Sequence, residues 1–164
     1  MTSNSISVTY AYANAGYGGS FYFSNTAASS ISFTNNPWFD TSRSYIDGGV
    51  VYATGTGSYS LTFNQLTNNY LSSTTGNGGI FAISNTDIST INILGGTTIS
   101  TTTAMANGGI GYVSSTAVTL TVTSTTFDTP KATTNNGGAF WLSSSTGTTT
   151  ITITSVTVDT SSAG

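Results

Sequence analysis

Five Gly-Gly pairs recur along this chain at an almost constant interval, and that interval constrains the fold more than any other feature. The pairs begin at residues 18, 48, 78, 108 and 137, so the steps between them are 30, 30, 30 and 29 residues. A fixed period of this length is the signature of a repeat architecture, in which one short unit stacks on itself. We therefore expect residues 1–164 to form a single solenoid domain of five coils, preceded by a partial coil over residues 1–17.

Strand patterns follow each pair in phase with the period. The first is a short apolar run, as in Ile80–Ile83. The second alternates strictly between apolar and small polar residues, as in Thr150–Thr154, and Ser5–Thr9 is predicted to be an earlier copy of it. Such runs after glycine, with a period of two, are typical of strands that bury one face. A third, weaker strand is predicted near Phe39, Leu66, Ile99, Phe127 and Val156.

Three strands and three turns per coil predict an all-β, right-handed, three-sided parallel β-helix. Right-handed winding is the strong default for parallel crossovers. Helices are disfavoured, because no segment has a 3.6-residue hydrophobic period and Thr, Gly and Ser are poor helix formers. The core is expected to hold Phe21, Phe23, Phe33, Phe63, Phe81, Ile91, Ile93, Leu120, Val122, Phe140, Ile151 and Ile153.

The Gly-Gly pairs open the strings GGSF, GGVV, GGIF, GGIG and GGAF, and a companion Phe-x-x-Asn motif occurs at Phe33–Asn36. This pattern resembles the GG-A-I repeat of chlamydial polymorphic outer-membrane proteins, and similar repeats occur in large surface proteins of ciliates. The later copies of the companion motif, Phe63–Leu66 and Phe127–Pro130, lack its final Asn. The resemblance implies a right-handed parallel β-helix on a cell surface or outside the cell, but it implies no single activity.

The composition argues against catalysis and against a cofactor. Only 4% of residues are charged, and His, Glu and Cys are absent, so a Ser-His-Asp triad and a thiolate metal site are impossible. The net charge of −3 favours neither nucleic acid nor an anionic membrane. Asp40 and Asp159 share a repeat position but lie about four coils, or roughly 19 Å, apart, and Asp40 with Arg43 predicts a surface turn contact. We predict no enzyme, no metal site and no cofactor.

A polar residue recurs immediately before four of the Gly-Gly pairs. It is Asp47, Asn77, Asn107 or Asn136. Stacked Asn and Asp side chains can bond to one another or to the backbone of neighbouring coils, so this position predicts a ladder at a turn rather than a ligand site. The glycines that follow are expected to supply either positive φ or room at a crowded corner.

Two outer surfaces are candidates for function. Alternate residues of the Gly-Gly strands are predicted to form an apolar outer strip, which either contacts a partner or is covered by residues 10–17 or 35–46. The predicted strip comprises Tyr22, Val50, Tyr52, Ile80, Ile110, Tyr112, Ala139 and Trp141. The other candidate is an outward Thr-x-Thr face, whose regular hydroxyl and methyl rows resemble those of antifreeze solenoids. Its main residues are Thr62, Thr121, Thr123, Thr152 and Thr154.

These surfaces, together with coil ends for which the sequence predicts no cap, predict an extracellular structural protein. We expect the chain to associate with itself into a fibre or surface layer, through the coil ends, the outer strip or both. An adhesin that binds a cell-surface partner is one alternative, and an ice-binding protein that uses the Thr face is another.

Overall fold

The computed structural model describes residues 2–4, 7–68, 70–160 and 162–163. Its described part is all β-structure without a helix, and its parallel strands stack into a solenoid of about 5 turns. Each strand pairs with the strand about one period away, for example Phe81 with Val51 on one side and with Gly111 on the other. The predicted three-sided parallel β-helix is confirmed, and its right-handed winding stays a prediction.

The strands form three sheets. The first, called the Gly-Gly sheet, consists of β4 (Phe21–Asn25), β8 (Val51–Gly55), β12 (Phe81–Asn85), β16 (Gly111–Ser115) and β19 (Phe140–Ser144). The second, called the long sheet, begins with the alternating strands β1 (Thr2–Asn4), β5 (Ser29–Thr34), β9 (Tyr59–Asn64) and β13 (Ile88–Leu94). It continues around a bend into β2 (Ser7–Thr9), β6 (Trp38–Asp40), β10 (Thr67–Asn68) and β14 (Thr97–Ile99). In the last two coils, β17 (Ala117–Asp128) and β20 (Thr149–Asp159) cover both parts.

A third sheet closes each coil, and the sequence did not predict its strands, because the predicted third strand near Phe39 and Ile99 joins the long sheet instead. The third sheet consists of β3 (Tyr12–Ala13), β7 (Ser42–Ser44), β11 (Leu71–Ser73), β15 (Thr102–Ala104), β18 (Pro130–Ala132) and β21 (Ser162–Ala163). Its inward positions include Ser42, Ser44 and Thr102, which are fully buried. Buried hydroxyl residues give no apolar alternation, and this removes the signal by which the other strands were found.

One or two residues with positive φ bend the chain inside the long sheet, and a single such residue bends it again before the third sheet. Gln65 (φ 60°), Ser124 (φ 49°) and Ser155 (φ 54°) make the first bend, whereas Thr41 (φ 52°) and Thr129 (φ 47°) make the second. A residue in this left-handed region changes the direction of the strand, and pairing with the neighbouring coils resumes within a few residues. The coil can therefore close within about 30 residues.

The core is a column of apolar side chains stacked from coil to coil. Phe33 and Phe63 stack with centroids 5.3 Å apart and an interplanar angle of 12°. Of the predicted core residues, seven are at most 1% exposed: Phe33, Phe63, Phe81, Ile91, Ile93, Leu120 and Val122. Phe21, Phe23 and Phe140 are half-buried and pack against this core.

The prediction was wrong for Ile151 and Ile153, which are 54% and 59% exposed. Both occupy the inward rows, opposite Leu120 and Val122 of the preceding coil. In a solenoid, each coil is sealed by its two neighbours. Because the structure describes no coil beyond β20, one side of these side chains remains open.

The N-terminal strand was predicted in the wrong place. Ser7–Thr9 pairs with Trp38–Asp40, so it follows the bend rather than preceding it. The alternating position is taken by Thr2–Asn4, which pairs with Ser32–Thr34. Ser5 and Ile6 lie outside the described residues. An isolated alternating pentapeptide fits either segment, since alternation fixes the buried face but not the partner strand.

The two glycines of each of the five periodic pairs have different structural roles. The first glycine is always left-handed, with φ between 60° at Gly18 and 73° at Gly137. The second allows a close approach between coils: a Cβ added to Gly79 would overlap the carbonyl oxygen of Gly109. The sequence predicted positive φ or crowding, and the pair combines both.

Candidate functional site

The outward positions of the Gly-Gly sheet carry a row of aromatic rings, which we call the outer aromatic ladder. Tyr22 stacks on Tyr52 with centroids 5.5 Å apart, and Tyr112 stacks on Trp141 at 4.6 Å with an interplanar angle of only 5°. These four residues occupy one row because Tyr22 pairs with Tyr52 and Tyr112 pairs with Trp141 in the parallel register. Tyr22 is the most open, with 54% of its surface exposed.

Four residues predicted for this strip do not belong to it. Val50, Ile80 and Ile110 are completely buried, and Ala139 packs against the core, so the prediction that they point outward was wrong. The carbonyl of Val50 accepts hydrogen bonds from both Ser20 and its neighbour at position 21. Two residues therefore oppose one, as in a bulge, and the alternation is broken immediately after the Gly-Gly pair. As a result, the residue just before the strand and the first residue of the strand both face the core.

The outer aromatic ladder is interrupted at Ala82, which lies in the row between Tyr52 and Tyr112. Ala82 is only 1% exposed, so it is covered despite its outward position. Another ring joins the row from the connecting segment: Tyr17 stacks on Tyr52 with centroids 4.3 Å apart. Tyr17, the last residue of segment 10–17, therefore covers part of the strip, in the direction of the self-covering alternative.

Burial raises the pKa of Tyr52 and of Tyr112, and the negative charge of Asp47 contributes to both shifts. Hydrogen bonds to Thr54 and Ser114, respectively, act in the opposite direction. Because an ordinary tyrosine pKa already lies near 10, the raised values keep both hydroxyls neutral at physiological pH. The ladder therefore offers apolar ring edges and neutral hydroxyl groups.

The recurrent polar residue before each Gly-Gly pair forms the predicted ladder, which we call the asparagine ladder. Asp47 Oδ1 accepts hydrogen bonds from the backbone N–H (2.6 Å) and the side-chain Nδ2 (3.0 Å) of Asn77. Asn77 Oδ1 accepts the same two bonds from Asn107, at 3.1 and 2.9 Å. Asn136 then donates its backbone N–H to Asn107 Oδ1 at 3.2 Å. Every step points the same way, so the first position needs only an acceptor, and Asp47 provides one.

Asp47 has a raised pKa, because burial outweighs the two hydrogen bonds from Asn77.

The other carboxylates form no ligand cluster: in the part of the chain that the structure describes, no three His, Cys, Asp or Glu residues come together. One pairing was missed at the sequence level, since Asp128 and Asp159 are direct partners in adjacent coils. Arg43 donates Nε–H to Thr74 Oγ1 at 2.8 Å.

The Thr face lies on the long sheet. Thr121 and Thr123 stand opposite Thr152 and Thr154, so the structure brings these four predicted residues together in adjacent coils. Thr62 shares a row with Thr121 but is separated from it by Asn92, which donates to Thr62 Oγ1 at 3.3 Å. The hydroxyl array is therefore most regular at the C-terminal end of the sheet.

The last described coil presents an apolar depression of about 530 Å³ beside its inward rows. Leu120, Phe140, Leu142, Ile151 and Ile153 line most of it. Val158, which pairs with the buried Phe127, is also open, with 51% of its surface exposed. Among the described residues, Ile151, Ile153 and Val158 thus occupy inward rows that no neighbouring coil covers on this side.

No protein-family model, curated protein or solved structure matches this chain. The resemblance to GG-A-I repeats therefore rests on the repeat motif alone. Among the described residues there is no helix long and apolar enough to cross a membrane.

Proposed function

We propose that this chain is a non-enzymatic structural protein, on the cell surface or outside the cell, whose coils associate with those of further copies into a fibre or layer. The observation that carries the proposal is the exposure of Ile151, Ile153 and Val158, which occupy core rows without a covering neighbour. A further coil would cover them, whether it belongs to the same longer chain or to a second copy.

The free energy that favours stacking of a further coil can be estimated from the apolar side-chain surface that the coil would bury. Fully burying an aliphatic side chain contributes roughly 1.5–3 kcal/mol, and these three side chains are about half exposed. Covering them supplies roughly 2–4 kcal/mol, before the edge hydrogen bonds of β19 and β20 are counted. The low content of charged residues leaves little repulsion between stacked copies.

The outer aromatic ladder offers a second, lateral contact. It presents Tyr22, Tyr52, Tyr112 and Trp141 in a single row along the solenoid axis. Aromatic side chains are enriched at the centres of protein interfaces, where they contribute large contact areas at a small entropic cost. End contacts build filaments, and lateral contacts build layers from them.

Negative-stain microscopy and light scattering over a concentration series test the proposal. Ile153→Lys places a charge in the uncovered core row and should abolish end-to-end filaments. Thr152→Lys is the matched control, because it changes the neighbouring outward residue of the same strand. Tyr112→Lys should leave single filaments intact while preventing their lateral association. A parent protein that stays monomeric at high concentration would contradict the proposal and favour the adhesin alternative.

Ice binding is a second candidate, favoured by the register of the Thr face. Thr121 and Thr123 stand opposite Thr152 and Thr154, with a spacing of about 7 Å along each strand and 4.8 Å between coils. Thr121→Tyr and Thr152→Tyr would roughen this array without reaching the core, and Thr126→Tyr is a control on the same strand beyond the bend. Thermal hysteresis that disappears only in the first two variants would support ice binding. The absence of thermal hysteresis in the concentrated parent protein would exclude ice binding.

A further inference from the structure

Three Asn-Gly dipeptides occur in this chain, and all of them lie in the asparagine ladder. They are Asn77-Gly78, Asn107-Gly108 and Asn136-Gly137. Asn-Gly is the dipeptide most prone to deamidation, because glycine places no side chain in the way of its own amide nitrogen. That nitrogen must reach the Asn Cγ atom, so hydrogen bonds that hold either group in place slow the reaction.

The first two dipeptides are held at both reacting groups. The Nδ2 group of Asn77 donates to Asp47 Oδ1, and its Oδ1 atom accepts two bonds from Asn107. The nucleophile is also engaged, since Gly78 N–H donates to Asn107 O at 2.9 Å. In the second dipeptide, the side chain of Asn107 is bonded to both neighbouring coils, and Gly108 N–H donates to the carbonyl of Asn136 at 3.1 Å.

The third dipeptide lacks this protection. Asn136 is exposed, and only its backbone takes part in the ladder, as a donor to Asn107 Oδ1 and an acceptor from Gly108 N–H. Among the residues that the structure describes, nothing hydrogen-bonds to the side-chain amide of Asn136 or to the N–H of Gly137. Both reacting groups are therefore free to approach each other.

We propose that Asn136, where no further coil stacks on it, is a site of spontaneous covalent modification, at which the folded chain deamidates selectively. The Gly137 amide nitrogen, after losing its proton, attacks Cγ of Asn136, the Cγ–Nδ2 bond breaks, and ammonia leaves. The resulting succinimide takes up water. Opening at Cγ gives aspartate, whereas opening at the main-chain carbonyl gives isoaspartate. The reaction needs no oxidant, reductant or cofactor.

The test compares the three dipeptides within one molecule. The folded protein is kept dilute in mildly alkaline buffer, digested with pepsin at acidic pH, and mapped by mass spectrometry. Aromatic residues such as Phe81, Tyr112 and Phe127 separate the three dipeptides into different peptides. Asn136 should deamidate about 10- to 100-fold faster than Asn77 or Asn107, because each of those must first break at least two hydrogen bonds. In denaturant, the three rates should become comparable.

A variant separates hydrogen-bond protection from general burial. Asn107→Ala removes the Nδ2 donor to Asn77 while keeping the backbone, and it should speed up deamidation of Asn77 by up to about tenfold. Circular dichroism establishes that the variant is folded. Equal rates at the three dipeptides of the folded parent, or a faster reaction at Asn77 or Asn107 than at Asn136, would overturn the proposal. An unchanged Asn77 rate in a folded Asn107→Ala variant would show that the ladder bonds are not what protects it.

Discussion

The second glycine of each of the five periodic pairs should tolerate no side chain, and Gly79→Ala tests this most directly. Gly79 is buried, and a Cβ added to it would overlap the carbonyl oxygen of Gly109 in the next coil and lie 3.0 Å from the backbone nitrogen of Thr103. Gly79 does not have positive φ, so alanine brings no backbone strain of its own. The whole cost must therefore come from pushing two paired coils apart.

The magnitude follows from two contributions. Overpacking a tightly packed site costs about 1–3 kcal/mol. Separating the coils also stretches the bonds from Gly78 N–H to Asn107 and from Gly79 N–H to Gly108, each worth about 1 kcal/mol. We expect Gly79→Ala to lower the free energy of unfolding by about 3–5 kcal/mol, a value outside the range of ordinary substitutions.

Two other glycines provide matched controls. Gly96 has φ +75° but nothing within 4 Å of an added Cβ, so Gly96→Ala measures backbone strain alone, about 1–2 kcal/mol less the gain from a stiffer unfolded chain. Gly16 is open and free of positive φ, so Gly16→Ala should be nearly neutral. Urea unfolding followed by circular dichroism gives the change in unfolding free energy for all three variants, provided that the dependence of this free energy on urea concentration is the same as in the parent. If Gly79→Ala costs no more than Gly96→Ala, close approach between coils is not what selects this glycine.

Four further substitutions test the two ladders and the charged residues. Asp47→Asn keeps the acceptor for Asn77 and removes a partly buried charge, so it should stabilise the fold at neutral pH, whereas Asn77→Asp loses a donor and should destabilise it by about 2 kcal/mol. Because folding raises the pKa of Asp47, the gain from Asp47→Asn in pH-dependent melts should shrink as pH falls through the folded-state pKa and vanish only below the ordinary pKa of 3.8. Asp159→Asn removes a like charge opposite Asp128 and should add about 0.5 kcal/mol in urea melts, less at high salt. Ala82→Tyr restores a continuous outer aromatic ladder and should raise stability by about 1–2 kcal/mol, whereas a lower melting temperature would show that the row has no room for the ring.

The period carried most of the predictable information. It placed Asp47, Asn77 and Asn107 in one stack, and hydrogen bonds join them. It also put Thr121 opposite Thr152, because residues at equal positions in parallel coils must be neighbours.

Features that depend on local departures from the period could not be predicted. Strict alternation predicts that Ile80 points outward, but the bulge-like pairing after Gly-Gly turns it inward. The pairing of Asp128 with Asp159 was hidden because the chain is two residues shorter between Gly109 and Asp128 (19 residues) than between Gly138 and Asp159 (21 residues). The exposure of Ile153 depends on which coil follows, and repeat position says nothing about that.

The contacts that define this fold are made almost entirely between neighbouring coils. Core rows, the asparagine ladder and the close approach of the second glycines all need the next coil in order to be complete. Stability in such an array is a sum of nearest-neighbour terms, so a coil with one neighbour is held less firmly than a coil with two. The last described coil therefore combines uncovered apolar side chains at Ile151 and Ile153 with an unprotected Asn136. A coil stacked there would cover the first and supply hydrogen bonds to the second, so self-association and protection of Asn136 are expected to rise together.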